Sequence, residues 1–179
     1  MRKYAEDYEL ERTEDEKGRI KKKAKYVGDY YVVNVDEQDL IKFRRVAFLV
    51  LVLTLSLHIG AGFIGNQGMY QFYVALPYVF VFLPLYYFAS GILRLPKDKR
   101  PYRRDEVELT FERIKKANWF LFGLFCMVIL GELVFLVWFS KGGQNQELIF
   151  LALEAVAAIP VALIWRSQKS INIKKIDED

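Results

Sequence analysis

Four long stretches of apolar residues alternate with charged segments along this chain. They cover residues 47–65, 69–93, 119–140 and 147–165. Each is close to the ~20 residues that a helix rising ~1.5 Å per residue needs to cross the ~30 Å core of a bilayer. The pattern therefore predicts an all-α integral membrane protein with four transmembrane helices.

Short polar segments, rich in Gly, Asn and Gln, join the first stretch to the second and the third to the fourth. Connections this short bring consecutive helices together in antiparallel pairs. We therefore expect two antiparallel transmembrane hairpins. The predicted segments are an N-terminal segment at 1–45, the first hairpin at 46–93, a linker at 94–118, the second hairpin at 119–165 and a tail at 166–179.

The basic residues predict the orientation of these hairpins. Of the 26 Lys and Arg residues, 12 precede the first stretch, nine lie in the 94–118 linker and four follow Trp165, which leaves only Lys141 in the two short connections. Positive charge resists translocation across the membrane. Both termini and the linker should therefore be cytoplasmic, in a multi-pass protein of the plasma membrane or the bacterial cytoplasmic membrane.

Two elements are expected outside the membrane. Residues 26–35 are rich in Tyr and Val, so they predict a small β element, drawn as a hairpin turning at Gly28 and Asp29, ahead of a helix capped by Asp36. In the linker, Asp105 and Glu108 resemble a capping box, and apolar residues then recur at helical spacing at Val107, Phe111 and Ile114. This spacing predicts an amphipathic helix that lies on the membrane or on the N-terminal segment before span three.

One polar group in each predicted span falls in nearly the same layer, since counting from the outer ends places three of them roughly 10 to 12 Å deep at ~1.5 Å per residue and Tyr78 slightly deeper. They are His58, Tyr78, Glu132 and Glu154, one in each span. If they converge, they form a cluster that shares protons or offers ligands to a cation. Alternatively, hydrogen bonds among them only fix the rotation of the helices.

Prolines in the spans predict local irregularities. Pro77 and Pro84 lie in the second stretch and Pro160 lies in the fourth. Each lacks a backbone N–H, so each should kink or loosen its helix about one turn earlier and free a carbonyl group there. Simple kinks are the expected outcome, although broken helices also line the substrate sites of transporters.

No catalytic residue, cofactor fingerprint or metal-ligand spacing stands out in the sequence, so we expect a non-enzymatic protein without a cofactor. The net charge of +4 is explained by the basic flanks of the spans and does not indicate nucleic acid. Expected partners are anionic lipid headgroups at the cytoplasmic face and a protein partner or a second copy. The favoured hypothesis is an accessory or scaffold component of a membrane complex. The alternative is a small proton- or cation-coupled transporter or channel that uses the intramembrane Glu/His cluster.

Overall fold

A computed structural model describes residues 3–14, 20–96, 98–139, 145–169 and 171–176 of the chain. The fold is mostly helical, with a small β element. The long helices are α1 (Glu37–Gly62), α2 (Phe72–Phe80), α3 (Phe82–Arg94), α5 (Arg113–Trp138) and α6 (Asn145–Lys169). The short helix α4 (Arg104–Val107) continues into α5 through a π-helical turn, Glu108–Glu112.

Three helical segments are long and apolar enough to cross a membrane. They are Phe72–Arg94, Arg104–Trp138 and Asn145–Gln168. These segments overlap the second, third and fourth predicted spans, which is compatible with a membrane protein. Most of the first predicted span lies in α1, which does not belong to this set, so the four-span topology stays a prediction.

Helix α1 begins as the sequence predicts. Asp36 is its N-terminal capping position, and the helix starts at Glu37, well before the apolar stretch. The Asp36 carboxylate forms no hydrogen bond to the first turn of the helix. Instead it accepts a hydrogen bond from Lys99 at 3.4 Å, which connects the start of α1 to the linker.

The second apolar stretch is interrupted once, at Val81 between α2 and α3. Pro84 explains this position, because it has no N–H to donate to the carbonyl of Phe80, the residue before Val81. The Val81 N–H itself bonds to the carbonyls of Pro77 at 3.1 Å and Tyr78 at 3.2 Å. The helix is therefore irregular about one turn before Pro84, as the sequence predicts.

The long helices form a ring in chain order. Helices α2 and α3 pack along α5, α5 packs along α6, and α6 packs along α1, while the contact of α1 with α3 is smaller. Small residues allow the closest of these approaches. Gly91 of α3 faces α5 so tightly that an added Cβ would lie 2.6 Å from Ile114 Cγ1.

A three-stranded antiparallel sheet covers one end of the ring. Its order is β4 (Tyr102–Arg103), β3 (Tyr30–Val33) and β5 (Ile173–Lys175), so the central strand comes from the N-terminal segment and the edge strands come from the linker and the tail. The sheet therefore brings together the three basic parts of the chain. Val33 and Tyr102 are almost fully buried and belong to the same core as the helices.

The N-terminal hairpin differs from the predicted one. Strand β1 (Tyr8–Glu14) pairs with β2 (Ile20–Tyr26), and the predicted turn at Gly28 and Asp29 instead connects β2 to β3, which do not pair. The prediction was wrong because alternation of Tyr and Val shows that a segment is extended but does not identify its partner strand. The second predicted outer turn, at 142–144, lies outside the described residues.

The predicted amphipathic helix is present, but it is not separate from span three. Val107, Phe111 and Ile114 are buried on one face, as the spacing predicts. The helix begins at Arg104, and Glu106 accepts the Arg103 N–H at 3.0 Å. The predicted cap at Asp105 was therefore wrong. The π-helical turn then lets the chain continue into α5 without the predicted change of direction.

The closeness of α3 and α5 predicts the effect of a larger side chain at Gly91. Gly91→Leu should lower the free energy of unfolding by about 1 to 3 kcal/mol, because the added atoms force the helices apart. Gly123→Leu on α5 is the matched control, since nothing lies within 4 Å of an added Cβ at that position. Thermal unfolding of the two purified variants in detergent measures the difference, and equal melting temperatures would contradict the packing described.

Candidate functional site

The centre of the helix ring contains a histidine that is shielded from solvent. His58 of α1 has no exposed surface. Aromatic rings surround its imidazole, with ring centroids at 4.1 Å for Tyr78, 5.0 Å for Phe82 and 5.6 Å for Phe125. These residues come from the second and third predicted spans, so the histidine lies at the junction of three helical segments.

The fourth predicted span supplies the partner of this histidine. Both carboxylate oxygens of Glu154 on α6 lie close to His58 Nδ1, at 3.0 and 3.1 Å. Neither side chain has any exposed surface. One turn away, the Thr54 hydroxyl points at the Ala157 carbonyl at 3.5 Å, so α1 and α6 approach closely beside the pair.

The second nitrogen of His58 determines how protons are placed in this pair. Nε2 lies 3.2 Å from the backbone carbonyl oxygen of Tyr78, which can only accept, so Nε2 carries a hydrogen. Nδ1 then either donates to a Glu154 carboxylate or accepts from a Glu154 carboxylic acid. Both forms contain the same number of protons and have no net charge, which is how a Glu–His pair can be buried without an isolated ion.

Tyr78 completes the inner polar cluster, which we define as His58, Tyr78 and Glu154. The Tyr78 hydroxyl donates to the His58 carbonyl at 2.8 Å, while the Tyr78 carbonyl faces His58 Nε2. Gly62 makes room for this phenol, because an added Cβ there would lie 2.2 Å from the hydroxyl. The two residues therefore exchange hydrogen bonds in both directions and fix α1 against α2.

Glu132 does not join this cluster. An apolar layer of fully buried side chains, Ala61, Val74, Val128 and Phe150, lies one turn further along each helix from the inner polar cluster. Glu132 lies one turn beyond Val128, on the far side of this layer. Of the four residues in the candidate cluster, the structure therefore brings His58, Tyr78 and Glu154 together and places Glu132 elsewhere.

The helix ends explain why Glu132 lies apart. The limits of the predicted spans give Glu132 and Glu154 nearly equal depth, but α5 ends at Trp138 and α6 begins at Asn145. Glu132 is therefore six residues from its helix end, whereas Glu154 is nine residues from its own. The difference of about one helical turn separates them.

Glu132 instead meets residues that the sequence analysis did not select. We call Asn66, Glu132 and Glu147 the outer polar cluster. Asn66 lies in the connection between α1 and α2, Glu147 lies in the first turn of α6, and all three are at least 98% buried. The available sequence signal was that Glu132 and Glu147 flank one short connection, at the same end of the bundle as Asn66.

Comparisons with protein-family models, with curated proteins and with solved structures find no match for this chain. No group of three or more His, Cys, Asp and Glu side chains is arranged for a metal ion within the described ranges. Interpretation of the site therefore depends on the geometry of the two polar clusters.

The neutral pairing of His58 and Glu154 predicts a difference between two variants. Glu154→Gln retains a donor for Nδ1 of a neutral imidazole, so it should unfold at nearly the wild-type temperature. Glu154→Leu leaves Nδ1 without a partner, so it should lower the free energy of unfolding by about 1 to 2 kcal/mol more than Glu154→Gln does. Thermal unfolding in detergent compares the two. Equal destabilisation by Gln and Leu would show that the carboxylate charge, not the hydrogen bond, stabilises the bundle.

Proposed function

We propose that this chain is a four-span integral membrane protein with both termini cytoplasmic, and that it acts as a non-enzymatic accessory or scaffold component of a membrane complex. The exposed surface of the helices supports membrane insertion. Large apolar side chains cover it on every long helix, for example Leu49 on α1, Phe80 on α2, Leu130 on α5 and Leu163 on α6.

Helix α1 is the proposed first span, which brings the total to four. Its 26 residues are about 39 Å long at ~1.5 Å per residue, more than the ~30 Å hydrocarbon core of a bilayer. Its outward face between Phe48 and Ile59 is apolar except for Ser56, and its inward face contains His58. The sheet supports the orientation, since it gathers the three basic segments at one end of the bundle.

Contact with anionic lipid is supported by the same end of the bundle. A groove of about 670 Å³ separates the start of α1 from the end of α3. Arg44 and Arg45 lie at the groove, and Phe48 and Leu93 provide apolar walls. Basic side chains near the membrane surface attract anionic headgroups by roughly 1 kcal/mol each.

The β1–β2 hairpin is the observation that carries the scaffold function. Charged residues of opposite sign face each other along it, with Glu9 opposite Lys25 and Glu11 opposite Lys23, and all four are exposed. The hairpin belongs to neither the three-stranded sheet nor the core. An isolated two-stranded hairpin is marginally stable in water, and its open strand edges are suited to pairing with another chain.

Among the described residues, the contacts that attach this hairpin to the rest of the protein lie at its base. The Tyr8 hydroxyl donates to Asp105 at 3.1 Å, and the Tyr26 hydroxyl accepts the Arg104 N–H at 3.0 Å. Just before β1, Lys3 binds Glu108, and this contact holds the pKa of the Glu108 carboxyl below its ordinary range. The attachment positions the charged strands on the helix that leads into α5, where a partner would meet them.

A small proton- or cation-coupled transporter is the second candidate. It is favoured by the buried His58–Glu154 pair, because intramembrane ionisable residues often belong to proton or ion pathways. One observation opposes a transporter. Nδ1 of His58 already faces Glu154, and Nε2 already faces the Tyr78 carbonyl, so the pair needs no external ligand.

Cysteine labelling tests the proposed topology. In a Cys126→Ala background, Gln67→Cys should react with a membrane-impermeant maleimide in intact cells, whereas Val27→Cys and Lys99→Cys should react only after permeabilisation. These three positions are exposed, so accessibility within the fold does not limit the reaction. If positions 27 and 67 are labelled from the same side of the membrane, α1 does not cross it and the proposed topology is wrong.

Crosslinking tests the proposed partner. A photoreactive amino acid at Lys23 in the full chain should crosslink to one protein in native membranes, and the Lys22→Glu/Lys25→Glu variant should reduce the product at least about tenfold, because opposite charges steer association. Lys116→Glu, in a surface ion pair on α5, is the control. No protein product would contradict the scaffold function. Proton flux into liposomes that Glu154→Gln abolishes would instead support the transporter.

A further inference from the structure

The outer polar cluster has a property that the inner one lacks, which is that its polar atoms are not satisfied. Both oxygens of Glu132, both polar atoms of the Asn66 side chain and Oε2 of Glu147 are buried and have no hydrogen-bond partner among the described residues. Glu132 has no exposed surface, and Asn66 and Glu147 are each 2% exposed. Burying such groups without partners destabilises the fold, because their hydration is lost and no hydrogen bond replaces it.

The three side chains meet under the connection between α1 and α2. The Glu132 carboxylate lies against Gly68, where an added Cβ would be 2.2 Å from Oε2 and 2.8 Å from Oε1. The Gln67 N–H donates to Glu147 Oε1 at 3.3 Å. Asn66 precedes Gln67 in this connection, and its buried carboxamide has no hydrogen-bond partner among the described residues. Three consecutive loop residues therefore close over two carboxylates from different helices.

The chemistry of this set matches one class of ligand. Two carboxylates and a carboxamide offer only oxygen donors, and together they carry two negative charges when ionised. Hard divalent cations take such ligands, and Ca²⁺ tolerates irregular sets in which backbone carbonyls and water complete the coordination, whereas Mg²⁺ demands near-octahedral geometry. His58 and Glu154 form no comparable site, because their pair is already neutral.

We propose that Asn66, Glu132 and Glu147 form a binding site for a hard divalent cation, with Ca²⁺ as the preferred ion. A bound ion satisfies the buried oxygens and neutralises both carboxylates. It also joins the 63–71 connection to α5 and α6, so the ion closes the end of the bundle opposite the sheet. The site depends on the fold of the bundle and not on a cytoplasmic partner, so it goes beyond the proposed function.

Calcium binding to the full-length protein tests this site. After treatment with a chelator, the purified protein in detergent should take up one equivalent of radiolabelled Ca²⁺, with a dissociation constant of about 0.1 to 1 mM as in extracellular calcium sites. CaCl₂ should raise the melting temperature, since a ligand that binds only the folded state stabilises it. The same concentration of MgCl₂ should give a smaller shift.

Variants of the two polar clusters provide the comparison. Glu132→Gln and Glu147→Gln should each weaken Ca²⁺ binding at least about tenfold, because affinity follows the number of ligand charges. Glu154→Gln is the matched control, since it removes a buried carboxylate from the inner polar cluster and should leave Ca²⁺ affinity unchanged. If either outer variant does not fold, Asn66→Ser replaces it, because it removes a carboxamide oxygen without altering charge and should also weaken binding.

Three results would overturn the site. The first is no Ca²⁺ uptake by the wild-type protein up to about 10 mM, well above the range of extracellular sites. The second is unchanged affinity in the outer variants that fold. The third is an equal loss of affinity in Glu154→Gln. Stability that rises with acidity but does not respond to Ca²⁺ would show that Glu132 and Glu147 share a proton instead. None of these results depends on the hairpin crosslink, so the two proposals fail separately.

Discussion

The hydrogen-bonded pair of His58 and Glu154 is the constraint around which the helices are arranged. Each side chain is buried on a different helix, and each would be costly to bury alone. The pair therefore requires α1 and α6 to meet at one rotation and one height. Tyr78 adds the second predicted span to this arrangement, because its hydroxyl and its carbonyl both face His58. In a membrane, where lipid is as apolar as the core, such contacts give the bundle a specificity that apolar packing does not provide.

The break at Val81 belongs to the same arrangement. The Tyr78 carbonyl accepts the Val81 N–H at 3.2 Å and also faces His58 Nε2 at 3.2 Å, so the turn at Val81 and the histidine share one acceptor. Gly62 is a further requirement, since the phenol of Tyr78 occupies the space of its missing side chain.

An apolar layer separates the two polar clusters, and the clusters differ in how far their hydrogen-bonding groups are satisfied. The inner cluster satisfies its own hydrogen bonds and is neutral. The outer cluster leaves its carboxylate and carboxamide atoms unsatisfied beneath a short glycine-containing connection. The layer of Ala61, Val74, Val128 and Phe150 separates the two and has no polar side chain apart from the Tyr78 hydroxyl beside it. The outer end is thus suited to an ion, and the sheet end to a partner.

The sequence by itself determined the apolar segments, the start of α1 at Asp36, the break before Pro84 and the buried face at Val107, Phe111 and Ile114, because these features depend on neighbours within a few residues. It also placed His58, Tyr78, Glu132 and Glu154 at similar depths but left open which of them meet. Only the tertiary structure decided that Glu132 lies in another layer, that Asn66 and Glu147 are its neighbours, and that β3 pairs with β4 and β5. These features depend on helix ends, helix rotation and strand partners, which are set by contacts between residues distant in sequence.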